Sequence, residues 1–182
     1  MSPVRPRRLP KEFDLKATIR EIPNFPKEGI LFYDITTLLK DPKAFAHVVE
    51  KLHAAYAEAG IRKVAAIDAR GFILGGALAY LLGAGLVPIR KTGKLPADVF
   101  EATYSLEYGN SKIAVHQDAI EKGERVLLVD DLLATGGTMA AAVGLIERLG
   151  GSIHSIAFLV ELSDLKGRDK LKGHHVVSLI QY

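Results

Sequence analysis

The 182-residue chain has no cysteine, so disulfides, thiolate metal sites and cysteine nucleophiles are excluded. That absence fits a reducing compartment, and the cytoplasm is the expected location. Nor is there an apolar run that reads as a membrane span. The 19 uncharged residues between Arg70 and Arg90 come close in length, but Gly83, Ala84, Gly85 and Pro88 cut them into a helix and a strand. No apolar segment follows the first arginines, so no export signal is expected, and internal repeats and low-complexity segments are missing. Charge of one sign is scarce as well. Of 24 basic residues, Arg5, Arg7, Arg8 and Lys11 precede the first acid, Glu12, which leaves 20 basic against 21 acidic residues in the rest. A body this close to neutral gives no reason to expect a nucleic-acid or membrane partner. Residues 1–11, with Pro3, Pro6 and Pro10, are expected to be a mobile basic tail, and residues 12–182 a single domain long enough to bury a core.

What is there centres on VLLVDDLLATGGT, residues 126–138. The first four residues are apolar and rich in β-branching, as in a strand buried on both faces of a parallel sheet. Asp130 and Asp131 follow at its expected carboxyl end, the edge of an open α/β sheet where ligands usually sit. Two adjacent carboxylates are costly to bury and need compensation. Next come Ala134, Thr135, Gly136, Gly137 and Thr138, and then Met139, Val143 and Ile146 at helical spacing. The loop therefore opens a helix. Its glycines let backbone N–H groups turn into one concavity, the helix dipole backs them, and the Thr135 and Thr138 hydroxyls can donate as well, a combination suited to a phosphate. A plain βα turn with the aspartates as a solvated cap is the alternative.

The run resembles the signature of the type I phosphoribosyltransferases, which bind 5-phosphoribosyl-1-diphosphate. The resemblance implies an α/β fold with a central, mostly parallel sheet flanked by helices, a small N-terminal hood and a flexible lid loop. It implies that residues 134–138 hold the 5-phosphate. Asp130 and Asp131 would lie against the ribose hydroxyls and, through water and substrate, near Mg²⁺, with no ligand bonded directly from protein to metal.

Elsewhere the chain offers matching pieces. Residues 12–21 are expected to be helical, with Phe13, Leu15 and Ile19 on one side, until Pro23 and Pro26 intervene. GILFYDIT, residues 29–36, reads as a short extended segment and resembles the base-binding segment of the adenine phosphoribosyltransferases. That likeness gives Leu31 backbone contacts to the purine edge and Phe32 stacking on its face, and leaves the role of Tyr33 open. Asp41 and Pro42 make a strong helix start, with Phe45, Val48, Val49, Leu52 and Tyr56 on one face. Residues 63–67 form another buried strand, ending in Asp68, Ala69, Arg70 and Gly71. Arg70 presents a planar fork suited to phosphate oxygens, or else serves as an ion-pair partner. A smooth side of Gly75, Gly76 and Ala79 predicts close packing of the following helix. Residues 86–89 make a third strand, capped by Arg90 and Lys91. The resemblance assigns the diphosphate to Arg70 and Lys91.

Residues 92–110 lose periodicity and are expected as a long loop. Within it YSLEYG, residues 104–109, is similar to the family's lid, which implies that Glu107 holds a proton near the purine and that Tyr108 helps exclude water; a tyrosine-rich hairpin rim is the plainer reading. Residues 112–116, 153–160 and 176–180 are expected strands. His47 and His53 are six residues apart, and His174 and His175 are adjacent, so neither pair reads as a metal site. The implied reaction is adenine plus phosphoribosyl diphosphate giving AMP and diphosphate, in a homodimeric enzyme of purine salvage. Two alternatives remain: transfer to xanthine, hypoxanthine or guanine, and a non-catalytic regulator that senses the donor.

Overall fold

The computed structural model describes residues 13–106 and 109–182, and the chain divides into two units between Lys51 and Leu52. In the first unit the helix expected over residues 12–21 is absent among the described residues. A 3-10 turn, Lys16–Thr18, is followed by strand β1, Arg20–Pro23, which pairs antiparallel with β2, Leu31–Asp34. The apolar spacing there is too short to distinguish helix from strand, and the β-branched Ile22 has a partner, Phe32, across the ladder. Arg20 lies directly opposite Asp34 in the register and donates from Nε to Asp34 Oδ2 at 3.1 Å. The Thr36 amide donates to the other oxygen, Oδ1, at 2.9 Å. Helix α1, Thr36–Lys40, leads to α2, Pro42–Tyr56. Asp41 caps α2 as expected, its Oδ1 accepting the Lys43 and Ala44 amides at 2.8 and 3.1 Å. Val48, Val49, Leu52 and Tyr56 are buried, while Phe45 is half-buried.

The second unit is built on a seven-stranded sheet. Its elements in chain order are β3, Lys63–Ile67; α3, Gly71–Leu82; β4, Gly85–Lys91; β5, Val99–Leu106; β6, Gly109–His116; β7, Arg125–Leu133; α4, Gly137–Arg148; β8, Ser152–Glu161; and β9, Val176–Gln181. The spatial order is β5-β6-β4-β3-β7-β8-β9, with β4, β3, β7, β8 and β9 parallel and the β5–β6 hairpin antiparallel beside β4. One core cluster contains Ala65, Ile67, Val87, Ile89, Val126 and Leu128 together with Met139, Val143 and Ile146 of α4. Val64 and Ala66 alternate with those positions and meet α3, where a Cβ on Gly75 would come within 2.5 Å of Ala66 Cβ. That contact requires glycine at position 75, whereas a Cβ on Gly76 would meet nothing within 4 Å, so the close packing expected of the smooth side is at Gly75 and not at Gly76. Among the described residues no helix is long and apolar enough to cross a membrane.

The long loop expected over residues 92–110 is mostly the β5–β6 hairpin, paired from Val99 opposite His116 to Leu106 opposite Gly109. Its Phe100, Ala102 and Tyr104 pack on the core, and the Arg148 guanidinium of α4 lies 3.9 Å over the Phe100 ring. Small and polar residues at Ala102 and Thr103 weaken the alternation that would have revealed β5.

The Arg20 guanidinium and the Thr36 hydrogen bonds hold the Asp34 carboxyl down at about 2. Its folded value is below its unfolded value of about 3.9, so its contribution to stability is complete above the unfolded value and is lost as pH falls toward the folded one. Urea titrations should therefore show Asp34→Asn less stable than wild type at neutral pH, with the gap closing toward about pH 2 to 3. A gap independent of pH would contradict this account of Asp34.

Candidate active site

Strand β7 is paired on both sides only as far as Val129. Ala66 of β3 lies opposite Val129, and there that ladder ends, whereas β8 continues alongside, with Phe158 opposite Asp130 and Val160 opposite Leu132. The acidic pair is thus inside β7 rather than beyond it, a correction to the strand end expected at residue 129. Pairing with β8, invisible in the local pattern, extends the strand. On the side that β3 leaves, residues 68–70 turn and Gly71 begins α3. A Cβ on Gly71 would sit 2.9 Å from Asp130 Oδ1 and 3.1 Å from the Val129 carbonyl oxygen, so only glycine permits this approach.

Arg70 is an ion-pair partner, and its partner is the other residue of the site: its Nε donates to Asp131 Oδ2. Asp131 is 6% exposed, while the Arg70 side chain is about half exposed and still presents its outer N–H groups. Asp130 Oδ1 accepts the Asp131 amide at 2.8 Å. Burial first, and then the adjoining Asp131 carboxylate, raise the Asp130 pKa well above the ordinary carboxylate range. Arg70 is bonded to Asp131, and the charged form of Asp130 is left without a bonded cation.

Ala134, Thr135 and Gly136 connect β7 to α4. Gly136 has φ +76°, and no side chain caps the helix, so the first-turn amides of Gly137 and Thr138 face outward from a helix N-terminus. Thr135 is exposed, and Ala134, Gly137 and Thr138 are half-buried. Gly136 is held from behind. A Cβ there would lie 2.4 Å from the carbonyl oxygen of Gly167, and a Cβ on Gly167 would lie 2.3 Å from the carbonyl oxygen of Ala134. This support was not foreseen, because no local signal at Gly167 points 31 residues back to Gly136.

At the end of β4, Lys91 is exposed and has no ion-pair partner among the described residues. Arg90 turns the other way, donating from Nε to Asp68 Oδ2 at 3.0 Å and from Nη1 to the Lys94 carbonyl at 3.1 Å. It ties the two cation-bearing turns together, a role that the adjacency of Arg90 and Lys91 did not disclose. The Asp68–Ala69 peptide is cis. Because β4, β3 and β7 are neighbours and parallel, Lys91, Arg70, the acidic pair and the α4 N-terminus share one carboxyl edge of the sheet. Leu31, Phe32 and Tyr33 lie on β2 in the first unit; Leu31 is exposed, and Phe32 meets Phe25 edge-on at 5.1 Å. Glu107 and Tyr108 are outside the described residues.

No group of three or more His, Cys, Asp or Glu able to hold a metal occurs among the described residues. The two carboxylates, one of them destabilised as an anion, fit a magnesium ion that takes its remaining oxygen ligands from substrate and water.

Residues 34–180 match the family described as phosphoribosyl transferase domain. The chain is 55% identical over 169 residues to an adenine phosphoribosyltransferase of Solibacter usitatus, covering 93% of this chain and 98% of that one. The crystal structure of adenine phosphoribosyltransferase from Thermoanaerobacter pseudethanolicus is similar at a TM-score of 0.89 and 52% identity, covering 93% of this chain and 98% of that one. That from Saccharomyces cerevisiae, complexed with D-2,5-dideoxy-2,5-imino-altritol 1,6-bisphosphate and adenine, is similar at 0.86 and 42%, covering 91% and 96%.

A raised folded pKa at Asp130 means that folding takes up its proton. Whatever stability the group contributes is present below its unfolded value of about 4 and is lost as pH rises toward the folded one. Asp130→Asn, which keeps the acceptor for the Asp131 amide, should raise the ligand-free Tm near neutral pH by at least about 2 °C. Calorimetric scans should show that gain shrinking as pH falls toward about 4; a gain that grows in acid would refute the assignment.

Proposed function

The chain belongs to the adenine phosphoribosyltransferases, and on that premise we propose that the carboxyl edge of its main sheet transfers the phosphoribosyl group of 5-phosphoribosyl-1-diphosphate to adenine, giving AMP and diphosphate. The observation that carries the reading is the placement of an uncapped, glycine-bent helix N-terminus next to a carboxylate pair of which only Asp131 is bonded to a cation, with Arg70 and Lys91 on adjacent strand ends. One part suits a phosphate, one a polyhydroxylated sugar, one a departing diphosphate.

A ring nitrogen of adenine forms the new bond to ribose C1 as the C1–O bond to diphosphate breaks. Positive charge develops on the sugar and negative charge on the leaving group, and groups placed for those charges lower the barrier most. Asp130 and Asp131 hold the ribose hydroxyls and face the developing sugar cation. Arg70, oriented by Asp131, and Lys91 accept the diphosphate charge. Residues 134–138 anchor the 5-phosphate, which contributes orientation in reactant and transition state alike. Leu31 and Phe32 bind the purine, with Tyr33 beside them, and the yeast relative complexed with adenine supports that base. Glu107 holds the proton lost from the purine, and Tyr108 excludes water, whose attack would waste the donor. Asp130 and Asp131 would hold Mg²⁺ through substrate and water. When bound, it would supply further neutralisation of diphosphate charge.

Residues 12–182 form one phosphoribosyltransferase domain in this reading, supported by a family match that spans both units. The protein is a cytoplasmic homodimer. Exposed Ile73 and Tyr80, two turns apart on uncharged α3, with Leu86 beside Gly75, support a subunit contact that sedimentation would test.

Incubation with Mg²⁺, the donor and a mixture of adenine, hypoxanthine, guanine and xanthine should yield AMP as the product. Another nucleotide, or none, would overturn the reading. Asp131→Ala should lose at least about 10²-fold in kcat/KM because it releases Arg70 as well as the sugar. Glu107→Gln should lower kcat more than it weakens AMP binding, and an unchanged kcat with chemistry limiting would remove Glu107 from proton transfer.

A further inference from the structure

The connection from β8 to β9 contains an ion pair that the mechanism above does not use. Glu161, at the end of β8, is buried at 5% exposure and accepts two hydrogen bonds from Arg168, Nε to Oε1 and Nη2 to Oε2, each 2.7 Å. The same guanidinium donates to the Val176 carbonyl at 2.9 Å and to Ser178 Oγ at 2.9 Å, and the Ser178 hydroxyl donates to Glu161 Oε2. Arg168 thus grips the end of β8 and the beginning of β9 at once. Its neighbour Gly167 is the residue whose carbonyl stands behind Gly136. Lys166 enters the turn with φ +53°, and Leu171 closes the segment in the core cluster that also contains Met139. On the other side, the Leu162 amide donates to the Leu133 carbonyl at 2.9 Å, next to Ala134.

We propose that Arg168 and Glu161 are positioning residues for the 5-phosphate, their ion pair holding the Gly167 backbone against Gly136 and so fixing the loop that opens α4. The inference rests on the assignment of residues 134–138 to that phosphate. Backbone-to-backbone contact can neither swing aside nor change rotamer, so the loop cannot shift toward the 166–168 turn unless that turn moves. The turn in turn is fixed by four hydrogen bonds from the Arg168 side chain to the ends of β8 and β9, and a fifth, from Ser178 to Glu161, ties those two ends together. Arg70 and Lys91 lie at other strand ends, and none of these bonds reaches them. The clamp therefore acts on one half of the donor only.

That selectivity separates positioning from general support of the fold. Titration calorimetry with ribose 5-phosphate and, separately, with magnesium diphosphate should show Arg168→Lys, which loses the two-pronged grip, weakening ribose 5-phosphate by about 10-fold or more while leaving diphosphate within about twofold. In steady state the same variant should raise KM for the donor more than KM for adenine. Ser178→Ala, which keeps both charges, should move ribose 5-phosphate affinity the same way by less, and it decides the matter if Arg168→Lys does not fold. Tyr56→Phe removes a hydrogen bond to Ser155 elsewhere in the unit and should lower Tm without moving either affinity. Equal weakening of both ligands, or unchanged ribose 5-phosphate affinity in both clamp variants while Gly136→Ala loses it, overturns the positioning role and leaves the loop assignment standing. If Gly136→Ala also binds ribose 5-phosphate like wild type, the loop assignment itself falls and the inference with it.

Discussion

The end of the β3–β7 ladder at Val129 is the constraint on which the site depends. Where β3 stops, β7 continues with one edge open, and that edge has to be filled by something other than a strand. The 68–71 turn fills it, with Gly71 pressed on the β7 backbone and Arg70 paired to Asp131. A single event, one strand outlasting its neighbour, thus places a cation beside the acidic pair and directs a helix away from it. The topology then repeats the arrangement one step along, because β4 ends next to β3 and offers Lys91 at the same edge.

This arrangement stores electrostatic cost. Arg70 compensates Asp131, but Asp130 is left among buried surroundings and a second carboxylate, which is why its proton is held so tightly. A pair satisfied internally would bind a sugar and its accompanying cation weakly, because binding would first have to break existing bonds. The cost falls on the charged form of Asp130, and the fold tolerates it because its apolar core, with Ala65, Val126, Leu127 and Leu128 all fully buried, supplies the compensating stability.

Much of this was legible in the sequence where the cause is local. The buried strand at residues 126–129, the Asp41 cap, the smooth face at Gly75 and the glycine-opened helix at Gly136 each follow from a few adjacent residues. The misreadings share the opposite origin. Residues 20–23 form a strand because residues 31–34 are there to pair with them, β7 runs on to Leu133 because β8 accompanies it, and β5 is a strand because β6 and the Arg148 guanidinium hold it. Arg70 illustrates the limit from another side. Its two readings, phosphate fork and ion-pair partner, were posed as alternatives, yet a guanidinium has donors enough for both, and only the fold shows that the acid it pairs with belongs to the same site.

The same reasoning changes what Gly136 means. From sequence it is a flexible residue that lets a loop bend. In the structure two independent conditions act on it: a backbone angle of +76° and a carbonyl oxygen 2.4 Å from where a Cβ would stand. The first condition could be met at modest cost by asparagine; the second could not be met by any side chain without moving Gly167. The loop is accordingly rigid at its glycine rather than pliable there, and rigidity is what an anchor for one end of a substrate requires. A bend that yielded on binding would spend affinity on ordering itself, whereas one already wedged between β7 and the Arg168 turn presents its amides before the ligand arrives.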